Sequence, residues 1–288
     1  MEVLTAAADW RSALDDARRA GSTVGLVPTM GALHDGHASL ARTARETCDL
    51  VTTTIFVNPL QFGDAADLDA YPSTLEADAA LLDSVGCDLV FAPSVAEVYP
   101  RYPSPSLTTV HVEGAALGFE GEGRRGHFDG VATVLSLLFN LAGPCRAFFG
   151  EKDFQQLSVV RQLVRDLAFH IEVIGCPTVR EPDGLAMSSR NVRLSPEARQ
   201  KAGVLYQALL AGAEAASTAG VAGAEAAMAA AVAQEPAASL FYAAVVDPAT
   251  MASPVEPREG DEVRLLIAAE VDGVRLLDNL GATLGGAA

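Results

Sequence analysis

The feature that most constrains the fold is an alternation, between residues 22 and 176, of short β-branched runs with longer amphipathic stretches. Such alternation is typical of a parallel sheet with right-handed crossovers and helices on both faces. The predicted strands are Thr23–Val27, Leu50–Val57, Asp88–Ala92, Cys145–Phe149 and Ile171–Ile174. The predicted helices lie near residues 38–48, 74–86, 130–142 and 154–168. Because ligands bind at the carboxyl ends of such strands, the loops after Val27, Val57 and Phe149 are candidates for a site.

After Pro177 the pattern changes, and the chain is expected to form a smaller α+β domain. Ser195-Pro196-Glu197 has the composition of a helix N-terminus. Two alanine-rich helices are predicted after it, at 196–217 and 223–235. The predicted strands that follow are Leu240–Val246, Val263–Val271 and Val274–Leu277. The expected organisation is a nucleotide-binding and substrate-binding domain at 1–176, a hinge at 177–186 and a lid domain at 187–288.

The charge balance narrows the class of partner. The net charge is −17 and the isoelectric point is about 4.6, which argues against nucleic acid or an anionic membrane as the main partner. A small anion responds to a local cluster of hydrogen-bond donors more than to net charge. A nucleotide therefore stays open as a ligand.

Cysteine usage and the absence of targeting patterns predict a cytoplasmic protein. No C-x-x-C pair occurs, so we expect buried free thiols in a reducing compartment. The N-terminus lacks the basic start and apolar run of a signal peptide. Two glutamates interrupt the alanine-rich stretch at 211–233, which predicts a surface or bundle helix and no membrane span. The cysteines are Cys48, Cys87, Cys145 and Cys176.

The strongest candidate for chemistry is the segment Val27–Leu40, VPTMGALHDGHASL. It places His34 and His37 three residues apart, after a strand and a glycine turn, so both imidazoles share one face of a starting helix. The helix N-terminus offers backbone N–H groups to an anion, and two donating imidazoles would stabilise charge on a triphosphate as it is cleaved. Metal binding or a surface histidine pair is the alternative explanation of H-x-x-H alone.

Two more segments follow predicted strands. In Phe148–Leu157, FFGEKDFQQL, Lys152 can reach phosphate oxygens, and Gln156 lies four residues on, on the same helix face. In Ile55–Phe62, IFVNPLQF, the uncharged Gln61 suits recognition of hydroxyl and carboxylate groups. A solvated helix start and an ordinary turn residue are the alternatives.

Two loop segments complete the set. GLAMSSRN combines the hydroxyls of Ser188 and Ser189 with the guanidinium of Arg190, on a loop that can close over ATP; the alternative is that the serines only form a turn. Phe119–Val131, FEGEGRRGHFDGV, matches neither a P-loop nor a dinucleotide-binding fingerprint. We interpret it as a glycine-rich flap, with a plain surface loop as the alternative.

These segments, in this order and over nearly the whole chain, resemble the pantothenate synthetase (pantoate–β-alanine ligase) family. The similarity is densest at PTMGALHDGH, FVNPLQF, GHFDGV, FGEKDFQQL and MSSRN. The first and last look like the HIGH and KMSKS signatures of class I aminoacyl-tRNA synthetases. The resemblance implies an α/β, Rossmann-like fold of the HIGH-type nucleotidyltransferase superfamily, with a smaller C-terminal α+β domain.

The resemblance also implies a two-step reaction in pantothenate biosynthesis, upstream of coenzyme A. ATP and (R)-pantoate give enzyme-bound pantoyl adenylate and pyrophosphate with Mg²⁺. The amine of β-alanine then attacks the acyl carbon and releases pantothenate and AMP. His37 matches the position of a proton donor, His34 and Lys152 join it in stabilising the phosphates, and Arg190 is the fourth catalytic candidate. The family is usually dimeric.

The positions that the resemblance assigns fall into three groups. The implied ATP-binding residues are Met30, Gly31, Ala32, Leu33, His34, Asp35, Gly36, His37, Gly150, Glu151, Lys152, Asp153, Val179, Met187, Ser188, Ser189 and Arg190. The implied residues for pantoate and β-alanine are Gln61, Gln156, Asn58 and Tyr71. Asp78 is a candidate for a magnesium-linked acidic contact.

Three positions depart from the family pattern. Arg125 stands where relatives often have proline, and Ala66 and Ser73 stand where they often have glutamate and arginine. We expect these changes to affect loops and peripheral contacts and to leave the ATP core intact. Two other functions stay open: a nucleotidyltransferase acting on a phosphorylated acceptor, which does not need Gln61 and Gln156, and a non-catalytic ATP-sensing module.

Overall fold

A computed structural model of the protein describes residues 1–63 and 68–285. Ala66, one of the departures from the family pattern, lies outside the described residues. The chain divides into two compact units. The first contains Met1–Glu151 and Val159–Pro177, and the second contains Lys152–Ser158 and the chain from Thr178 onward. The short segment of the second unit was not expected from the sequence, and the hinge at 177–186 stays a prediction.

The first unit is built on a six-stranded parallel sheet, as the alternating pattern predicts. Each predicted strand is present within two residues at either end. The strands are β1 (Glu2–Leu4), β2 (Val24–Thr29), β3 (Leu50–Ile55), β4 (Leu89–Phe91), β5 (Cys145–Gly150) and β6 (Ile171–Cys176). The helices are α1 (Ala7–Arg19), α2 (Asp35–Thr47), α3 (Leu75–Ser84), α4 (Val95–Val98), α5 (Phe119–Gly123), α6 (His127–Ala142) and α7 (Phe154–Asp166), whose first residues belong to the second unit.

The order of the strands reverses at β2. Across the sheet the order is β1-β4-β3-β2-β5-β6, so the chain moves outward from β2 through β3 and β4 and returns on the other side at β5. In open α/β sheets a reversal of this kind opens a crevice at the carboxyl ends of the central strands. Those ends are Thr29 of β2 and Gly150 of β5.

Two elements at the N-terminus, β1 and α1, were not predicted. Trp10 and Leu14 lie one turn apart on α1 and are fully buried. The Trp10 ring stacks on Phe91 with centroids 4.5 Å apart, and its indole N–H donates to Thr52 Oγ1 at 2.9 Å. A buried tryptophan whose N–H has a partner fixes the position of α1 on the sheet.

The second unit is a three-stranded antiparallel sheet with two main helices. The sheet has the order β7 (Ala238–Val246), β8 (Glu262–Val271) and β9 (Val274–Thr283). The helices are α8 (Pro196–Lys201) and α9 (Val204–Ala233). The α+β prediction for this region is confirmed, but β9 runs six residues past the predicted end at Leu277.

The long alanine-rich region contains a break between its two predicted helices. Gly220 has φ 65° and ψ −159°, so the helical path is interrupted there. By length and composition alone, Pro196–Ala233 is apolar enough to cross a membrane. Within the unit, Leu209 and Met228 of this region share a buried cluster with Leu265 of the sheet. This packing agrees with the expected bundle helix.

The four cysteines are free, and three of them are buried. Cys145, the first residue of β5, is half-buried as a whole residue, yet burial of its thiol raises its pKa to about 12, in agreement with the expectation of a buried thiol.

The predicted flap at Phe119–Val131 is wrong, because the structure builds this segment into α5 and the start of α6. Glu120 and His127 are buried there. α6 then approaches the 3-10 helix Pro59–Gln61 at Gly130, where an added Cβ would lie 2.3 Å from the carbonyl oxygen of Leu60. The close approach therefore requires glycine.

Gly130→Ala tests this contact. Alanine in place of a helix-interior glycine ordinarily stabilises by about 0.5–1 kcal/mol. Here we expect the free energy of unfolding to fall by about 1–3 kcal/mol because the new methyl group overpacks against Leu60. Urea unfolding measures the change. Gly63→Ala is the control, since a Cβ at Gly63 meets no atom within 4 Å. Equal stability of the two variants would contradict the argument.

Candidate active site

The N-terminus of α2 is capped by two histidines. His34 is the N-cap residue, and its Nδ1 accepts from the backbone N–H of Gly36 at 3.1 Å. The Nδ1 of His37 accepts from the backbone N–H of His34 at 3.4 Å. The two ring centroids lie 4.2 Å apart. An imidazole nitrogen that accepts carries no proton, so each neutral ring is protonated on Nε2. The cap therefore favours, for each neutral ring, the tautomer that carries its proton on Nε2.

A buried carboxylate holds the loop that leads into this cap. Gly31 and Ala32 have φ of 86° and 50°, a left-handed conformation that costs energy for alanine. Asp78, on α3, accepts from the backbone N–H groups of Ala32 at 3.0 Å and Leu33 at 2.8 Å. It is 3% exposed and also accepts from Thr74 Oγ1. Asp78 was predicted as a magnesium-linked contact; the structure shows it hydrogen-bonded to the loop, and a metal role stays a prediction.

The side-chain amide of Gln61 is hydrogen-bonded at both ends, once to Met30 of the same loop. Its Nε2 donates to Met30 Sδ at 2.7 Å, and its Oε1 accepts from Asn58 Nδ2 at 3.1 Å. Asn58 is 1% exposed, and its Oδ1 accepts from the hydroxyl of Tyr99 at 2.9 Å. Burial raises the pKa of Tyr99 above its ordinary value, so its hydroxyl stays a donor. The structure thus places Asn58 behind Gln61; its contact with substrate stays a prediction.

Two further side chains surround Gln61 and its loop. His127 Nδ1 lies 3.0 Å from the carbonyl oxygen of Gln61, and its Nε2 lies 3.0 Å from an Arg124 nitrogen. The hydroxyl of Tyr71 is 3.5 Å from the carbonyl oxygen of Gly31. The local sequence pattern predicts His127 in a flap because its partner Gln61 lies 66 residues away along the chain.

The two described departures from the family pattern, Ser73 and Arg125, are both exposed. Neither Ser73 nor Arg125 contributes a hydrogen bond to the histidine loop among the described contacts.

In the second unit, three cationic side chains line one small pocket that is partly open to solvent. Lys152 and Arg190, which come from separate sequence motifs, are joined there by Arg275, which sequence analysis missed. None of the lining residues is acidic, and although the ammonium group of Lys152 lies 3.2 Å from the carboxylate of Asp153, the lining as a whole favours an anion. The lining residues are Lys152, Leu185, Ala186, Ser188, Arg190, Asn191, Arg275, Leu276 and Leu277.

The other candidate residues of this unit lie on the segments that flank the pocket. Ser188 Oγ accepts from the backbone N–H of Arg190 at 3.2 Å and so caps the 3-10 helix Ser189–Arg193. The backbone N–H of Met187 donates to the carbonyl oxygen of Val179 at 2.9 Å. Gln156 is half-buried in the first turn of α7.

A metal explanation of the histidine pair was left open by the sequence. Within residues 1–63 and 68–285, no group of three or more His, Cys, Asp or Glu side chains is arranged to hold a metal ion.

The model of one protein family, pantoate-beta-alanine ligase, matches residues 2–281. The chain belongs to the pantoate-beta-alanine ligase family. Among curated relatives, the pantothenate synthetase of Cereibacter sphaeroides is 52% identical over 285 residues, which cover 96% of this chain and 98% of that protein.

Solved structures of this family share the fold. The crystal structure of pantothenate synthetase from Thermus thermophilus is 48% identical, covers 97% of this chain and 99% of its own, and has a TM-score of 0.88. Pantoate-beta-alanine ligase from Francisella tularensis, solved in complex with beta-gamma ATP and beta-alanine, is 31% identical over 97% of each chain, with a TM-score of 0.78. The ligase resemblance stated from the motifs is therefore confirmed, as is the fold.

Asp78→Asn tests whether the carboxylate holds the histidine loop. The substitution keeps the size of the side chain but turns one acceptor oxygen into an amide that faces a backbone N–H. We expect the free energy of unfolding to fall by about 1–3 kcal/mol, the cost of a buried donor without a partner. We also expect slower pantoate-dependent pyrophosphate release, because the loop leads into His34.

Asp49→Asn is the matched control. Asp49 also accepts from a backbone N–H, that of Thr23 at 2.9 Å, but at the opposite end of β2. We expect it to keep the rate of the unsubstituted protein. Full activity of a folded Asp78→Asn variant would contradict the proposal that Asp78 holds the loop before His34. A raised Mg²⁺ requirement at unchanged stability would identify Asp78 as a metal contact instead.

Proposed function

We propose that the chain catalyses the ATP-dependent condensation of (R)-pantoate with β-alanine to form pantothenate, AMP and pyrophosphate, through an enzyme-bound pantoyl adenylate. The observation that carries the proposal is the cap of His34 and His37 at the reversal of the sheet, in a chain that matches the ligase family over residues 2–281. Two imidazoles close together at a helix N-terminus suit the phosphates of a nucleotide.

In the first step, a carboxylate oxygen of pantoate attacks the α-phosphorus of ATP. The bond from that phosphorus to the bridging oxygen breaks, and the electron pair leaves with pyrophosphate. Negative charge grows on the leaving group, so donors fixed before the reaction lower its barrier. We assign this role to His37 and His34 in the first unit and to Lys152 and Arg190 in the second.

In the second step, the amine of β-alanine attacks the acyl carbon of the adenylate. The bond between that carbon and the phosphate oxygen breaks, AMP leaves, and the nitrogen loses a proton. We assign pantoate binding to Gln61 and Gln156, with Gln61 also near β-alanine. The fixed amide of Gln61 supports this assignment, since an oriented donor distinguishes hydroxyl from apolar groups. Asn58 and Tyr71 complete the proposed set.

The remaining ATP contacts are proposed from the loops that follow β2 and β5 and from the serine-rich loop. In the loop after β2, the N–H groups of Ala32, Leu33, His34 and Gly36 already donate to Asp78 and to the two imidazoles, so the histidine side chains are the proposed phosphate donors there. The proposed contacts are Met30–His37, Gly150–Asp153, Val179 and Met187–Arg190.

Magnesium is proposed as a companion of ATP. The described residues form no cluster for a metal ion, and the carboxylate of Asp78 is occupied by backbone N–H groups. Mg²⁺ often binds through substrate phosphates and keeps several waters. When bound in this way it neutralises phosphate charge.

We also propose a cytoplasmic homodimer. Free cysteines support a reducing compartment. The dimer rests on the family resemblance, and sedimentation of the purified chain tests it.

The reaction is tested by supplying substrates one at a time. Pyrophosphate and AMP should form from ATP only when pantoate is present, and the amide product should form only after β-alanine is added. Pyrophosphate release with a phosphorylated acceptor, and none with pantoate, would contradict the proposal. ATP binding without turnover would do so as well.

His37→Ala and Lys152→Ala test the charge-stabilising roles. Each should slow adenylate formation by at least ~100-fold, as expected for the loss of a preorganised donor. Single-turnover pyrophosphate release measures this step without interference from the second. Matched controls are His111→Ala, an exposed histidine beside Asp129, and Lys201→Ala, an exposed lysine near Glu235. Near-normal pyrophosphate release in both test variants would contradict the charge-stabilising roles of His37 and Lys152.

A further inference from the structure

We propose that Asn279, on β9, is a positioning residue that sets the main chain of Lys152 for its phosphate contact. Nothing in the sequence motifs or in the role assigned to Lys152 points to Asn279, which lies 127 residues away. The proposal rests on the proposed function, since it acts through Lys152.

Both ends of the Asn279 amide are engaged within the second unit. Its Nδ2 donates to the carbonyl oxygen of Lys152 at 2.8 Å, and its Oδ1 accepts from Nε of Arg264 at 2.6 Å. The residue is 3% exposed. Among side chains of this size, only asparagine both donates and accepts: aspartate lacks the donor, and leucine lacks both groups.

The partners of Asn279 are themselves held. The guanidinium of Arg264 lies over the ring of Phe154, 4.2 Å from its centroid, at the start of α7. Asp278, the preceding residue on β9, receives two hydrogen bonds from Arg180, which lies over the ring of Tyr206. The neighbouring pair on β9 therefore fixes two segments of the unit, one carrying Lys152 and one carrying Arg180.

β9 also contributes residues to the pocket that Lys152, Arg190 and Arg275 line. In a strand, residues two and four positions apart point to the same face. Arg275, Leu277 and Asn279 share a face; Arg275, Leu277 and the intervening Leu276 line the pocket together with Lys152. β9 thus supplies one cationic residue of the pocket, Arg275, and the residue that anchors a second one, Lys152.

Anchoring matters because the ammonium group of Lys152 is carried on a flexible stem. The side chain of Lys152 is 19% exposed, with Nζ 3.2 Å from Asp153 Oδ1. If the main chain at Lys152 shifts, the ammonium group loses its geometry toward the leaving phosphates. Displacements of about 1 Å can cost ~100-fold in rate. Asn279 therefore acts on the first chemical step through Lys152.

The test uses two variants of Asn279. Asn279→Asp keeps the acceptor toward Arg264 and loses the donor toward Lys152, and Asn279→Leu loses both without adding charge. Each should slow single-turnover pyrophosphate release by at least ~10-fold. The reaction of preformed pantoyl adenylate with β-alanine should be unchanged, which a general loss of structure would not allow.

A double substitution separates positioning from structural damage. In a Lys152→Ala background, Asn279→Leu should cause little further loss of rate, since neighbours that act through one group are not additive. Asn140→Asp is the control, because Asn140 Nδ2 also donates to a main-chain carbonyl, that of Ser136 at 2.8 Å, in α6. It should leave both half-reactions unchanged.

Normal pyrophosphate release by folded Asn279 variants would overturn the proposal while leaving the proposed function intact. So would equal slowing of both half-reactions, or a full extra loss in the Lys152→Ala background. A Lys152→Ala enzyme with normal release would instead show that the role assigned to Lys152 is wrong.

Discussion

The structure depends on the pairing of β2 with a parallel strand on each side. β2 pairs with β3 from Val24 to Thr29 and with β5 at Gly25 and Leu26, and Val24, Leu26 and Val27 are buried. A strand bound at both edges and covered on both faces cannot shift without breaking main-chain hydrogen bonds. The loop after Thr29 therefore begins at a fixed point, and the histidine cap follows within a few residues. The position at which the histidine loop begins is therefore set by this strand.

Two buried polar side chains hold the main chain next to residues with proposed functional roles. Asp78 binds the main chain just before His34, and Asn279 binds the main chain at Lys152. A buried polar group destabilises a protein unless it is hydrogen-bonded, so each of these holds only one arrangement of its neighbours. In both cases the buried residue holds the main chain and leaves the neighbouring side chain, His34 or Lys152, to the role proposed for it. Each unit of the protein thus carries its own anchor.

The sequence predicts the strands well because buried parallel strands read as β-branched runs, and the histidine cap is visible as local spacing. It misses whatever depends on distant partners. The sequence does not predict α1 because charged residues interrupt its apolar stripe around Trp10. The predicted β9 ends too early because Asp278 and Asn279 disfavour strands. That polar pair inside a strand is itself a signal of tertiary contacts. Arg275 left no signal, since a single arginine in a strand is ordinary.

Activation of pantoate as its adenylate is tested most directly by the fate of the carboxylate oxygens of pantoate. Pantoate labelled with ¹⁸O in both carboxylate oxygens is incubated with ATP, β-alanine and the protein, and the products are analysed by mass spectrometry. Attack on the α-phosphorus followed by attack of the amine on the acyl carbon transfers one labelled oxygen to AMP and leaves the other in pantothenate. Unlabelled AMP, or label in pyrophosphate or orthophosphate, would contradict the account.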